Sequence, residues 1–439
     1  MSMMQSTQSN PIDSIASKPK SIEQMGIPAR QLETLILKHL SQITDADVAT
    51  LAKTIGLSGN IIDSILQKQK AEALVEVRSD GRFSSSLRYG LTIKGRNIAH
   101  YELQRDGYLG PAPISIEHYN QLVLSQTTKD VQITPEILRN GLNDLILPDN
   151  IVGTVGPALN SGRAIFIYGL PGTGKTYVSR RLVRLFDTPV YIPYAVSVGS
   201  QIIQVFDPII HNPVKAQQNT LLLNNGYDNR LVLCQRPEVV VGGELTSDML
   251  EVTKDPTHQV NRAPLQMKAN NGILLIDDLG RQKVSVDAIL NRWIIPLEEK
   301  IDYLSLSSGD HFEIPFEQVL VFSSNIHPAK LADDAFLRRI GYKINFGPIS
   351  EENYTTLWHE QCQKHGLESH PKTLDYVFYS LHRPCNVPLL PCYPRDLVAM
   401  CSNQINFHQQ QPIITPELIQ TVWECYFVND EQEEVTSYE

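Results

Sequence analysis

Apolar residues recur at helical spacing early in the chain and give way to short unbroken apolar runs further on. Leu32, Leu35, Ile36 and Leu40 fall on one helical face. Thr44 and Asp47 precede a second set, Val48, Leu51 and Ala52, in the pattern of a capping box, and Gly56 closes that helix. Ser58 opens a third helix, with Ile61, Ile62, Ile65 and Leu66 on one side. A strand-like stretch from Leu74 to Arg78, the turn signal Asp80-Gly81 and a second strand from Phe83 to Leu91 follow. A last helix runs through Ile98 to Leu103, with Gly95 near its start. Residues 26–106 therefore predict a small α+β unit, behind a polar tail over 1–25 that reads as flexible. The Gly- and Pro-containing stretch from Gly107 to Ile114 opens a linker over 107–134. Over 135–347, apolar strands alternate with helical patterns, which predicts an α/β domain on a parallel sheet. The strands are Ala164–Tyr168, Val190–Ile192, Ile273–Ile276 and Val319–Ser323. Four helices near 350–364, 371–382, 394–408 and 415–428 predict a helical unit over 348–428, and 429–439 is an acidic tail.

Composition narrows the function classes. A chain of 439 residues exceeds one core, and 42% hydrophobic residues are enough to pack several. A net charge of −10 excludes a polybasic coat for nucleic acid, although residues 28–105 carry eleven Lys/Arg against eight Asp/Glu. No run of about 18 apolar residues predicts a membrane span. The first twenty residues lack the charge and apolar run of a secretion signal. Six cysteines without a CxxC pair fit reduced thiols, so a cytoplasmic protein is expected. Cys385 and Cys392 lie near His382, at a spacing that matches no zinc pattern.

The chemistry concentrates in two places. Gly169-Leu170-Pro171-Gly172-Thr173-Gly174-Lys175-Thr176 satisfies GxxxxGK[ST] between the strand Ala164–Tyr168 and a helix expected at Lys175–Leu185. Glycines allow backbone N–H groups to face a polyphosphate, Lys175 reaches the β- and γ-oxygens, and the Thr176 hydroxyl can ligate Mg²⁺. About a hundred residues later, four apolar residues lead into Asp277-Asp278. Asp277 is placed to hold the magnesium and Asp278 to polarise the attacking water. ATP and Mg²⁺ are the ligands this pairing implies.

With both motifs in place, residues 135–428 resemble an AAA+ ATPase. The resemblance makes Asn325, at the end of Val319-Leu-Val-Phe-Ser-Ser-Asn325, the first sensor, on a strand expected between the phosphate loop and the acidic strand. It makes Ala335-Phe-Leu-Arg338-Arg339-Ile340 an arginine-finger segment, with Arg339 favoured, Arg338 beside it, and a surface salt bridge as the plain alternative. Tyr393-Pro-Arg395-Asp-Leu397 is similar to the start of the second-sensor helix, which aims Arg395 at the phosphates. The second acid of such sites is commonly Glu, and Asp278 is shorter by one methylene. Alternation on both sides of Ser308-Gly309-Asp310 resembles the pre-sensor-1 hairpin of the branch holding MoxR-like chaperones. Residues 26–106 resemble a winged helix-turn-helix. The wide spacing of Lys175 and Asp277 implies an insertion within 195–270, in which Arg236–Thr246 has no evident role.

By this resemblance the chain is a member of a homo-oligomer, a hexameric ring, whose ATP hydrolysis remodels a protein or nucleoprotein client. The overall likeness is to a bacterial group known only as predicted AAA+ ATPases. The alternative is an ATP-switched DNA-binding assembly factor that touches DNA through residues 58–96. A nucleotide-binding scaffold without turnover is a third reading.

Overall fold

The computed structural model describes residues 16–78, 87–214 and 227–427. The turn at Asp80-Gly81, the beginning of the strand expected from Phe83, and the acidic segment 429–439 lie outside the described residues.

The first unit has the helices Ala29–Gln42, Val48–Ile55 and Gly59–Ala71, then the antiparallel strands Val75–Arg78 and Arg88–Leu91, then the helix Ile93–Arg105. Ala46–Asp47 adds a third strand beside Arg88–Leu91. Asp47 alone caps the second helix, accepting from the Thr50 N–H at 2.8 Å. Thr44 lies three residues before that cap and so forms no capping box with it; its carbonyl accepts from the Arg78 guanidinium. The apolar faces read from the sequence meet in one core, with Ile36, Leu51, Ile62, Leu66 and Tyr89 all buried.

Five parallel strands make the central sheet: β1 (Ile165–Gly169), β2 (Glu238–Val241), β3 (Ile273–Ile276), β4 (Val319–Ser324) and β5 (Tyr342–Phe346). Their order is β2-β3-β4-β1-β5. All four β3 side chains have no exposure, so each contributes about 1.5–3 kcal/mol of apolar burial relative to solvent. Val190–Ile192 is a strand, as its composition predicts, but it is not in this sheet. The strand Val190–Pro193 pairs antiparallel with Leu231–Cys234 in a ribbon of two. The place expected for it belongs to β2, so the segment Arg236–Thr246 carries the edge strand of the sheet. Arg236 anchors that strand, donating to the carbonyls of Gln126 at 2.9 Å and Asn271 at 2.7 Å.

The insertion is therefore split around β2, and it builds a second sheet. Its strands Thr253–Lys254, Asn261–Arg262, Gln201–Gln204 and Ala195–Val198 are joined by Ile114–Ser115. That last strand falls in the stretch read as a linker. Residues 107–134 in fact form this strand and the helix Ile116–Ser125, whose Tyr119, Leu122 and Val123 are buried among the insertion's side chains. The reason is apolar spacing that the neighbouring glycines and prolines obscured. The tail read over 1–25 is corrected in the same way for its described part. Ala16 is fully buried, its carbonyl accepts from the Asp228 N–H at 2.9 Å, and Ser17 bridges to Tyr227. Arg230 and Asp228 form a fully buried ion pair at 2.7 Å beside this segment, and Arg230 also donates to the Pro113 carbonyl. These contacts, with Ala112 N–H to Ile55 at 2.7 Å and Ser197 to Gln31 at 2.7 Å, fasten the first unit to the insertion.

The C-terminal helices are Glu351–His365, Thr373–Tyr376 continued by a π-helical turn over Val377–His382, Cys392–His408 and Pro416–Tyr426. They enclose their own core around Tyr354, Trp358, Leu397 and Trp423. His382 is buried there, accepting from Tyr354 and donating to the Val387 carbonyl, so it is a packing residue. Among the described residues no helix is long and apolar enough to cross a membrane, and no His, Cys, Asp and Glu cluster has the geometry to hold a metal ion.

Candidate functional site

Strand β1 ends in Gly169 because β5 passes too close for a side chain. A Cβ there would stand 2.0 Å from the Phe346 carbonyl oxygen, and the φ of +146° lies in the region that favours glycine. The chain then turns through Leu170–Gly174 into a helix that begins at Lys175. That helix is shorter than its sequence pattern predicts. It spans Lys175–Ser179, and Leu182–Leu185 forms a separate 3-10 turn. Ser179 Oγ donates back to the Lys175 carbonyl at 2.8 Å, a bond that weakens and bends helices.

Lys175 is 6% exposed, and its ammonium lies across the loop, donating to the carbonyls of Gly169 at 3.0 Å and Leu170 at 2.7 Å. Burial pushes its pKa below the usual lysine value, and the nearby Asp278 and Asp277 carboxylates oppose that shift. Thr176 Oγ1 donates to Asp277 Oδ1 at 3.0 Å, across a separation of 101 residues. The same carboxylate oxygen accepts from the Asp278 N–H at 3.1 Å. Asn325, one residue beyond β4, donates through Nδ2 to Asp278 Oδ1 at 3.1 Å. Because β4 lies between β1 and β3, it brings Asn325 to the acid as the sequence reading requires.

Asp278 has φ +50°, a left-handed conformation that few side chains adopt without cost. Gln282 holds it there. Its amide donates to the carbonyls of Asp277 at 2.9 Å and Asp278 at 3.1 Å, and its oxygen accepts from the Gly280 N–H at 2.8 Å. Leu279 is fixed from the other side by Ser323 and Ser324 of β4. Sequence reasoning missed Gln282, and Gly280, which marks the turn, was its only signal. Glu244 was missed as well. It follows β2, where the Asp277 N–H donates to the Val241 carbonyl at 2.8 Å. Its carboxylate accepts from the Gly242 N–H at 3.1 Å, and backbone N–H groups hold its pKa below the usual glutamate value.

The C-terminal helices reach the loop through Cys392. A Cβ on Gly172 would come within 2.5 Å of the Cys392 sulfur, so the helix Cys392–His408 begins against the phosphate loop. Burial pushes the Cys392 thiol up to about 11. Arg395 lies one turn along, on the same helical face. Its side chain is 65% exposed and donates to Asp396 at 2.8 Å, so it is paired with its neighbour and reaches no loop residue.

Residues 350–425 match a family described as a domain of unknown function (DUF8689). The match coincides with the C-terminal helices. No curated protein matches the chain. Among solved structures it is similar to NtrX from Brucella abortus in complex with ADP, at 13% identity and a TM-score of 0.37. That alignment covers 64% of this chain and 56% of NtrX, so the chain spans little more than half of that protein's length. It is also similar to the RuvB Holliday junction branch migration motor of Thermotoga maritima, at 12% identity and a TM-score of 0.38. There the alignment covers 67% of this chain and 75% of RuvB. At these scores neither likeness adds to what the strand order and the loop geometry show.

Two of the candidate residues lie elsewhere. Arg338 and Arg339 precede β5, at the end of the sheet opposite the phosphate loop. A five-residue strand spans roughly 16 Å, too far for either guanidinium to reach its own loop. Arg339 is 14% exposed, 2.8 Å from Glu298, with a further bond to the Ala335 carbonyl. The Glu298 contact is an ion pair without an aligned hydrogen bond, since Arg339 Nε is buried and has no hydrogen-bond acceptor. Arg338 is exposed and has no carboxylate within ion-pair range among the described residues.

Proposed function

We propose that the chain is an Mg²⁺-dependent AAA+ ATPase that works as an oligomer and remodels a protein or nucleoprotein client. The observation that carries this reading is the convergence of Thr176, Asp277, Asp278 and Asn325 from three adjacent strand ends, linked by bonds of 3.0 and 3.1 Å. A hydroxyl and a carboxylate already in contact are an oxygen donor set suited to a hard divalent cation. Thr176 and Asp277 would hold Mg²⁺, which supplies charge neutralisation on the β- and γ-phosphate oxygens. Lys175 is pre-aligned over the loop, and swinging from backbone carbonyls to phosphate oxygens restores the charge that burial disfavours. Asp278 accepts the proton of the attacking water, while Asn325 fixes the orientation of its carboxylate. The left-handed backbone and the Gln282 clamp keep that carboxylate from relaxing away.

The finger is Arg338 in this reading, not Arg339. Arg338 is exposed and has no carboxylate within ion-pair range among the described residues, whereas Arg339 is tied to Glu298, which is the plain alternative weighed for it. Since neither can reach its own loop, Arg338 serves the nucleotide of a second copy, and a closed ring satisfies every site equally. The hairpin of Ile301–Ser305 and His311–Pro315 supports placement in the pre-sensor-1 branch. Its inner face is packed on the helix Ile116–Ser125, while Tyr303, Ser305, His311 and Glu313 on the other face and the tip around Gly309 are exposed.

The three helices and small sheet of the first unit support a winged helix, but its charges favour a docking role over DNA. Arg30, Lys38, Lys68, Arg78, Arg88 and Arg105 are all paired with carboxylates of the same unit or its edge. The helix Gly59–Ala71 exposes Asp63 at its middle, where a phosphate or base edge would have to approach. Steady-state phosphate release tests the ATPase reading. Wild type is expected to turn over ATP only with Mg²⁺, and Lys175→Ala to fall to background. Equal rates would leave a nucleotide-binding scaffold.

A further inference from the structure

The C-terminal helices carry a cleft of about 360 Å³, at the small end of the range of about 300–1,000 Å³ typical of small-molecule sites. Its most buried lining residues are Phe378 and His382, both on the π-helical turn. The Arg383 N–H closes that turn, donating to the Phe378 carbonyl five residues back at 3.1 Å. Single π turns inside helices occur frequently at functional sites. Asn386, at φ +50°, then reverses the chain, and Val387, Pro388 and Leu389 form an apolar wall. The wall is fixed at both ends. The Val387 N–H donates to the His382 carbonyl at 3.0 Å, His382 Nδ1 donates to the Val387 carbonyl at 3.0 Å, and the Ile349 N–H donates to the Leu389 carbonyl at 2.9 Å. With its other nitrogen on Tyr354, His382 offers the cleft only the face or edge of its ring.

The exposed part of the lining carries Glu351 and Arg383, joined at 2.9 Å, with side chains 45% and 60% exposed. Arg383 also lies over the Tyr379 ring at 4.2 Å. Their mutual bond uses one of five guanidinium donors and one of two carboxylate oxygens, so each keeps capacity for a further partner. One charge of each sign beside an apolar wall complements a molecule that carries an ammonium, a carboxylate and an apolar ring. A ligand with a single charge is attracted by one member of the pair and repelled by the other. An amino acid with an aromatic side chain brings all three groups together in one small molecule.

The apolar wall runs directly into Leu390 and Cys392, which face the phosphate loop. A Cβ on Gly172 would meet Leu390 Cδ1 at 3.7 Å and the Cys392 sulfur at 2.5 Å. A ligand that shifts Val387–Leu389 therefore bears on the loop through the next residues of the same chain. We infer that this cleft is a regulatory site for an amino acid with an aromatic side chain, and that its occupancy changes the affinity of the phosphate loop for nucleotide. The ring packs against Phe378 and the wall, Arg383 binds the carboxylate, and Glu351 binds the ammonium. Only the coupling to nucleotide rests on the ATPase reading above.

L-Tryptophan is the probe, titrated calorimetrically into the full chain without nucleotide. It is expected to bind saturably, at least about tenfold tighter than tryptamine, which lacks the carboxylate, or indole-3-propionate, which lacks the ammonium. Arg383→Gln should remove the advantage over tryptamine, and Glu351→Gln the advantage over indole-3-propionate. Val387→Phe, which fills the cleft, should abolish tryptophan binding while thermal unfolding stays cooperative. Saturating tryptophan should change the affinity for a fluorescent ATP analogue at least about fivefold, and the analogue should change tryptophan affinity by the same factor. The inference is overturned if tryptophan does not bind, if it binds no better than the two one-charge analogues, or if Arg383→Gln leaves its affinity unchanged. Independent binding of tryptophan and the ATP analogue also overturns it. A wild type that takes up tryptophan in this pattern but no ATP analogue overturns the ATPase reading instead and supports the cleft as an amino-acid site.

Discussion

Asp278→Asn is expected to bind ATP as the wild type does and to lose at least about a hundredfold in turnover. The substitution keeps the shape of the side chain and removes only its capacity to accept a proton. An amide oxygen can still receive the Asn325 Nδ2 bond that now runs at 3.1 Å to Asp278. Backbone strain does not confuse the result, because Asn tolerates the φ of +50° better than most residues. The Gln282 bonds go to backbone carbonyls and survive the change. Equilibrium nucleotide titration and single-turnover hydrolysis separate the two quantities. Undiminished turnover would mean that another carboxylate polarises the water.

Mixing Arg338→Ala subunits with Lys175→Ala subunits is expected to restore activity that neither has alone. The phosphate loop lies at the C-terminal end of β1 and the arginine pair at the opposite end of the sheet, before β5. One interface can therefore combine an intact loop from one subunit with an intact guanidinium from the other. Random assortment at equal amounts leaves about a quarter of the interfaces fully equipped in a symmetric ring. Recovery towards that fraction of wild-type phosphate release, with ring formation checked by sedimentation, is the predicted outcome. Complete absence of recovery in rings that do form would place the finger elsewhere or within one chain.

The parts of the site that were legible in the sequence share one property: the chemistry and the element carrying it are contiguous. Gly169–Thr176 follows an apolar strand, Asp277-Asp278 ends one, and Asn325 ends another, so each residue type and its position could be read together. The hairpin around Gly309 was legible for the same reason, since alternation and turn lie in one stretch. The edge strand was not. Val190–Ile192 and Glu238–Val241 are equally strand-like, and apolar content says that a strand forms without saying which partner it takes. The intervening insertion, with a sheet of its own, gave the nearer run no preference.

The strand Ile114–Ser115 is only two residues long and is specified by its partner Ala195–Val198 across the fold. Its pattern is too short to stand out against the prolines before it. The choice between Arg338 and Arg339 depended wholly on tertiary structure. Two adjacent arginines have the same local pattern, and only the position of Glu298 ties down one and leaves the other exposed. Likewise Cys392 had no sequence pattern to recommend it, and only the packing of the C-terminal helices onto Gly172 places it at the loop.

ATP hydrolysis by this chain requires the loop ahead of Lys175 to enclose a triphosphate beside the Asp277 carboxylate. The most direct measurement is equilibrium titration of the full chain with a fluorescent ATP analogue, with Mg²⁺ and then with EDTA. Wild type should bind saturably and more tightly with Mg²⁺, Lys175→Ala should bind at least about tenfold more weakly, and Asp277→Ala should lose the Mg²⁺ dependence. No saturable binding by the wild type, or the same curve for all three chains in both conditions, would contradict it.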